Sequence, residues 1–433
     1  MALSIIIIGA GASGLMAARR LSAAGHSVTI LEAGAEPGGR ILSLPAGSAG
    51  FSTVVEGGAE FIHGELPLSL QLAREAGVVL HPVRGQMVRL QRGKSLKNSG
   101  GNEFMGKDWD LLLEKMEQLQ TDEPIADFMA SHFSDDRYSA LRDSVRRFAE
   151  GYDLADVHRV STRALYNEWA REGDDEEYRP EGGYRRLVDF LVAECLRSGC
   201  VFNFSTKVAE VRWQQGRVEA VTAGGAVFVA EQMMITVSLG VLQAEPAILT
   251  FSPAIPEQLA AARQLGYGSV IKILMEFKKA FWKKEKKDNQ TLFIISDEPV
   301  PTWWTQPEND SCLLTGWLAG QLMYNFQLLS QAERIESCLQ SLAAVFSLDK
   351  EELRQSLSAI LVLDWSKAPY ILGGYSYDTV GAENARSLLS QAVEGTLWFA
   401  GEALYEGVAP GTIEAAFTSG QETADKIIAN YAY

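Results

Sequence analysis

Ser4-Ile5-Ile6-Ile7-Ile8-Gly9-Ala10-Gly11-Ala12-Ser13-Gly14 opens the chain, and Val28-Thr29-Ile30-Leu31-Glu32 follows shortly after. The isoleucine run has strand length. Leu15 to Ala24 reads as an Ala/Leu/Arg helix closed by Gly25, and Val28 to Leu31 as a second strand ending on an acid. Each glycine has a task. Gly9 permits a tight turn, Gly11 lets a pyrophosphate approach the backbone, and Gly14 lets helix pack close on strand. The free N–H groups at the helix head, those of Ala12 and Ser13 among them, and its positive end suit phosphate oxygens. Glu32 can accept from both hydroxyls of an adenosine ribose, so a free 2′-OH is expected. A lone glycine pattern of this kind says little. Here the flanking strand, helix and acid are all in place, which argues against an ordinary glycine-rich turn.

With 433 residues the chain is long enough for two or three domains, and 47% apolar content supports large cores. The net charge of −16 suits a cationic substrate only weakly, and no basic face suggests nucleic acid. The run Lys278 to Lys287 reads as a solvated stretch or hairpin. The first strand begins almost at Met1, leaving no room for a signal peptide. No apolar run approaches the roughly twenty residues of a membrane span. Cys195, Cys200, Cys312 and Cys338 show neither a CxxC pair nor metal-ligand spacing, so reduced buried thiols are expected and no metal. With the missing leader, this points to a cytoplasmic protein. Monomer and homodimer both stay open.

A second glycine motif, Gly38-Gly39-Arg40, follows Glu32 and Ala33. Two glycines and a fixed cation fit another phosphate contact. A nicotinamide-only unit would move on to its next helix here, so a different dinucleotide is indicated. Gly57-Gly58-Ala59-Glu60-Phe61-Ile62-His63 comes next, with three small residues in a row, as needed where backbone passes a flat ring. His63 is open to two readings, a structural hydrogen-bonder or an active-site group.

Together these motifs resemble FAD-dependent flavin amine oxidases of the monoamine oxidase and polyamine oxidase type. The resemblance implies noncovalent FAD held by Gly9, Gly11, Ala12, Ser13, Gly14, Glu32, Ala33, Gly39, Arg40, Gly58, Ala59 and Glu60. Later segments add Val208, matching a valine that contacts adenine through its backbone, and Gly401, Glu402, Gly411, Thr412 and Ile413. His63 falls where several polyamine oxidases carry His near the substrate.

Between the motifs, Leu68 to Leu80 reads as a helix and Val83 to Lys97 as a hairpin about Arg92-Gly93. Lys107 to Trp169 is helical with recurring apolar faces. Arg171 to Glu177 is either a solvated loop or an acidic rim that attracts a polyamine. Gly182-Gly183 is similar to the family's turn opening a helix. Val201 to Val237 carries short β runs. Leu292 to Ile295, Pro301 to Thr305 and Leu313 to Leu318 are strand candidates, and Ser330 to Phe346 and Lys350 to Leu357 are helices. Trp303, Trp304 and Trp317 are core or pocket.

Lys272 interrupts an apolar strand in Gly266-x-Gly268-x-x-x-Lys272. A lysine there is either snorkelling from an edge or held for a purpose. The spacing matches the amine oxidase pattern, in which this lysine holds a water against flavin N5. Tyr375 matches one wall of the family's aromatic cage. Gly374 stands where monoamine oxidases carry the flavin-bearing cysteine. Thr412 stands where the second cage tyrosine aligns, which leaves the cage half open.

The fold implied is α/β. It has a discontinuous Rossmann-type FAD-binding domain (1–78, 199–247, 391–433) and an α+β substrate domain with a mixed sheet and a helical insert (79–198, 248–390). The activity implied is hydride transfer from an amine to FAD, catalysed around Lys272, Tyr375, His63 and Thr412. Imine hydrolysis and reoxidation by O2 to hydrogen peroxide would follow. A polyamine or other extended amine is favoured as the small-molecule partner. Four rivals remain: an amino-acid oxidase, which needs an Arg for the substrate carboxylate; a desaturase, which does not need Lys272; a chromatin demethylase, whose partner-binding modules this length excludes; and an inactive flavin-binding module.

Overall fold

The computed structural model describes residues 2–91, 94–97, 108–171, 176–283, 290–309 and 311–431. The expected Arg92-Gly93 turn, residues 172–175 of the acidic stretch and residues 284–289 of the lysine-rich run lie outside them. A five-stranded parallel sheet sets the frame, in the order Val201–Asn203, Ser27–Leu31, Ser4–Ile8, Gln232–Ile235, Leu397–Phe399. Its strands come from the start, middle and end of the chain. Central strands buried on both faces need apolar side chains throughout, which the isoleucine run supplies.

The helix Ala12–Ala23 packs over this sheet and against the closing helix Ile413–Asn430. A Cβ on Gly14 would lie 2.1 Å from the Gly9 carbonyl oxygen, and one on Gly420 would lie 2.2 Å from that of Ser13. Helix-to-strand and helix-to-helix approach therefore both depend on a missing side chain. The helix begins three residues earlier than the apolar pattern suggests, because Ala12, Ser13 and Gly14 are already helical.

Arg185–Arg197 also packs on the opening helix, through Leu187, Val188, Leu191 and Cys195. Pro256–Gln264 and Ala382–Leu389 pack on the opposite face of the parallel sheet. All three fall in segments expected to belong to the substrate side. Of the three, only Arg185–Arg197 was anticipated, as the helix after the Gly182-Gly183 turn; the sequence reading did not single out the other two.

A seven-stranded mixed sheet forms the second layer. Its order is Leu357–Asp364, Val270–Phe277, Leu313–Ala319, Thr302–Trp304, Thr291–Ser296, Gln86–Gln91, Lys94–Lys97. All neighbours are antiparallel except Thr291–Ser296 with Gln86–Gln91. Four helices, Trp109–Glu117, Ile125–His132, Ser139–Gly151 and Thr162–Trp169, share a separate core around Trp109, Phe128, Leu141 and Trp169.

Three elements depart from the sequence reading. The helix expected to reach Leu80 spans Pro67–Glu75, since Gly77 turns the chain at φ +63. Leu80–Val83 is then a strand against Glu177–Pro180, which begins at the last residue of the stretch read as a solvated loop or acidic rim. Leu357–Asp364 is an edge strand the sequence reading did not single out. Among the described residues, no helix is long and apolar enough to cross a membrane.

Candidate active site

One cavity of about 2860 Å³ runs from the glycine turn to the mixed sheet. It exceeds the roughly 300–1,000 Å³ of ordinary small-ligand pockets and has room for a dinucleotide with a substrate beside it. At one end are Gly9, Gly11, Ala12, Ser13, Glu32, Ala33, Gly39, Arg40 and Val208; beyond them come Gly58, Ala59, Glu60, His63, Lys272, Tyr375, Gly401, Glu402, Gly411, Thr412 and Ile413. Gly14 is not on the wall; its place is under the helix, as described above.

The phosphate end fits a dinucleotide on two observations. A Cβ on Gly11 would meet nothing within 4 Å. The Ser13 hydroxyl, on a buried residue at the first turn of the helix, has no hydrogen-bond partner among the described residues. A helix head leaves its first N–H groups unpaired, so an anion would satisfy both kinds of donor. Glu32 accepts from the backbone N–H of Ala10 at 2.7 Å and of Gly34 at 2.6 Å. That fixes the carboxylate with lone pairs remaining for ribose hydroxyls. Arg40 donates to Glu402 and to the Gly374 carbonyl, each at 2.8 Å. Glu402 also accepts from the Ser376 hydroxyl at 2.6 Å. The pair holds the Gly-Gly-Arg turn, the Tyr375 segment and the closing motif together.

The small residues at 57 and 58 have a reason the sequence did not give. A Cβ on Gly58 would lie 1.9 Å from the Arg40 carbonyl oxygen, and one on Gly57 would lie 2.6 Å from Leu363. Protein backbone and side chain by themselves already set a limit there.

Lys272 lies on an interior strand, paired on both sides, and its residue is 1% exposed. The edge-strand alternative is therefore excluded. Its ammonium donates to the Gly58 carbonyl at 2.9 Å and to Glu60 at 2.8 Å, and it lies 5.4 Å from the Trp304 ring centroid. Glu60 also accepts from Trp304 Nε1 at 3.1 Å and from Arg179 Nε at 2.9 Å. Glu60 was expected to touch the cofactor; it lines the cavity, and its carboxylate accepts from three protein donors. Burial alone would push that carboxyl up, but Lys272 and Arg179 outweigh it and hold it down at about 2.

Tyr375 lines the cavity, and its hydroxyl donates to the Tyr152 carbonyl. Thr412 is the N-cap of the closing helix: its hydroxyl accepts from the Ala415 N–H at 3.2 Å and donates to the Ala409 carbonyl at 2.7 Å. The residue expected to leave the cage half open is thus also a cap. His63 is partly exposed on the wall, with Nδ1 3.0 Å from Glu177. Trp303 is core, while Trp304 and Trp317 line the cavity.

Sequence reasoning did not place Arg179, Glu308, Asp153 or Glu168. Arg179 pairs with both Glu60 and Glu308. Asp153 accepts from Trp169 Nε1 at 3.2 Å and faces Glu168 on the cavity wall. Burial pushes the Glu168 carboxyl up to about 7. Among the described residues, no cluster of His, Cys, Asp or Glu could hold a metal.

The glycine turn, Glu32 and the buried Lys272 share one chamber, the arrangement expected of a dinucleotide-dependent oxidoreductase. Residues 12–428 match the family of flavin-containing amine oxidoreductases. The chain belongs to that family, and its cofactor is FAD. It is 25% identical over 455 residues to the human protein "Lysine-specific histone demethylase 2", covering 98% of this chain and 53% of that protein. It is 26% identical over 451 residues to "Lysine-specific histone demethylase 1 homolog 2" of Arabidopsis thaliana, covering 99% and 59%. The chain therefore spans little more than half the length of these curated relatives. Its fold is similar to putrescine oxidase bound to putrescine, with TM-score 0.82, 21% identity and 99% of each chain covered. Cyclohexylamine oxidase from Brevibacterium oxydans gives TM-score 0.81, 19% identity and complete coverage of both chains.

Proposed function

We propose that the chain oxidises an extended amine, a polyamine or another long cationic amine, to an imine that hydrolyses to an aldehyde. The observation that carries this reading is the single cavity in which the glycine cradle, Lys272 and Tyr375 meet. Bound FAD would supply the two-electron acceptor, with O2 restoring it and giving hydrogen peroxide.

The remaining work falls to this chain's own residues. The faces of Tyr375, Trp304 and Trp317 would orient the amine by their negative π surfaces. The carboxyls of Asp153 and Glu168 on the same wall favour a second cationic centre along the substrate. Lys272 stands beside the reacting end, fixed by Gly58 and Glu60. The apolar wall excludes water and strengthens each of these contacts. His63 and Thr412 would border the substrate without carrying a proton. Gly374 supports noncovalent FAD, since a Cβ there would already be 2.6 Å from Leu154.

Two observations keep further substrates in view. Arg89 and Arg147 line the cavity, Arg147 already paired with Asp297, so a carboxylate-bearing amine would meet cationic side chains that the sequence could not place. The histone demethylase relatives bring N-methyl-lysine peptides into the same class of C–H oxidation. A peroxide-coupled screen of polyamines, monoamines, L-amino acids and methyl-lysine peptides, with Lys272→Met alongside, tests the reading. Turnover is expected with extended amines and strongly reduced in the variant. Peroxide from none of these substrates would overturn it.

A further inference from the structure

We infer that Glu60, itself anchored by Arg179, is a positioning residue that holds Lys272 as a permanent cation in the cavity wall. The alternative is a neutral amine that exchanges protons with water or substrate. An isolated ammonium at this depth would lose its proton, because burial disfavours the charged form. Lys272 is 1% exposed and flanked in its strand by Ile271 and Ile273, both fully buried. What keeps charge there must be a partner as deep as itself.

Glu60 meets that requirement. Its side chain is 3% exposed and lies 2.8 Å from the ammonium. It is in turn held from the far side by Arg179 at 2.9 Å and by Trp304 at 3.1 Å. Arg179 has its own second carboxylate, Glu308, and donates to the Thr305 carbonyl at 3.1 Å. Two cations and two carboxylates alternate, Lys272–Glu60–Arg179–Glu308, so the row is neutral as a whole. A neutral row can stay ionised where a lone ion cannot. Glu56 also faces Lys272; burial raises its carboxyl to about 7, so its charge there is partial.

Two consequences follow for the chamber. An ammonium fixed at this wall can donate a hydrogen bond to negative charge developing opposite it. As an ammonium it has no lone pair, so Lys272 is not the group that takes the amine's proton. The inference rests on the proposed oxidation for these consequences only; its test needs neither substrate nor cofactor.

The test is acetylation of Lys272 in the FAD-free full chain, read by peptide mass spectrometry at pH 7, 8 and 9. Lys367, whose side chain is 63% exposed, serves as internal reference. Only the free amine reacts, so a lysine still held as ammonium gains about tenfold in rate per pH unit. Wild type and Glu60→Asp are expected to show that slope. Glu60→Gln is expected to label Lys272 at least tenfold faster at pH 8, with a flat profile from 8 to 9. A raised rate that keeps the tenfold slope would report access alone and overturn the inference, as would an unchanged rate. Wild-type Lys272 with a flat profile over this range would overturn it even if Glu60→Gln did not fold.

Discussion

Gly11 and Gly14 sit three residues apart in one motif, and the structure gives them opposite sensitivities. At Gly11 the backbone is extended (φ −78, ψ −178), and an added Cβ would meet nothing within 4 Å. Gly11→Ala should therefore leave the apoprotein as stable as wild type, or more stable by about 0.4–1 kcal/mol through a stiffer unfolded chain. The new methyl would, however, stand in the space read as the pyrophosphate path. Forcing one methyl against a close-fitting group costs about 1–3 kcal/mol. FAD affinity should fall roughly 5- to 150-fold. At Gly14 the added Cβ would be 2.1 Å from the Gly9 carbonyl oxygen, with backbone rather than a flexible side chain in the way. Gly14→Ala should destabilise the apoprotein itself by about 1–3 kcal/mol or more. Thermal melts of both apoproteins, with a flavin-fluorescence titration of each, separate the two effects. The stabilisation by added FAD should shrink for Gly11→Ala in step with its weaker binding. If Gly11→Ala bound FAD as tightly as wild type, the pyrophosphate would not run over that backbone and the reading of the cradle would fail.

Other outcomes follow from the same geometry. Glu402→Ala leaves Arg40 without the carboxylate that holds it at 2.8 Å; the Arg40 side chain is 29% exposed and keeps its bond to the Gly374 carbonyl, so the loss should cost about 1–3 kcal/mol in urea unfolding. Glu168→Gln should change stability with a defined sign. The folded carboxyl titrates at about 7, above its unfolded value, so the wild type is favoured below about pH 4.5 and loses that advantage as pH rises through 7. The variant should gain roughly 1–3 kcal/mol at pH 8 and little at pH 4, by denaturant melts at both. Tyr375→Phe keeps the ring and loses only the hydrogen bond to Tyr152, so kcat/KM should drop a few-fold at most. Tyr375→Leu removes the π face and should lose about tenfold or more. Because the amine must be neutral to react, kcat/KM should rise between pH 6 and 9, and a flat profile would count against the mechanism.

The chain's own order of residues determined the parallel frame and its use. An isoleucine run, glycines at fixed offsets and an acid after the second strand are local signals, readable because strand, turn and helix obey periods of a few residues. The same holds for Lys272, whose charge stands out inside an apolar strand. The tertiary structure alone decided what that charge means. Glu60 and Arg179 are 119 residues apart, and Lys272 is 212 from Glu60. Ion pairs across such separations leave no mark in local spacing. Trp303 and Trp304 differ for a similar reason: adjacent strand residues face opposite sides, and only packing chose which side became core and which the cavity. Likewise, the Gly182-Gly183 turn announced the helix Arg185–Arg197, but an apolar stripe specifies that a face will be buried, not against what, and Ala382–Leu389 was not read at all.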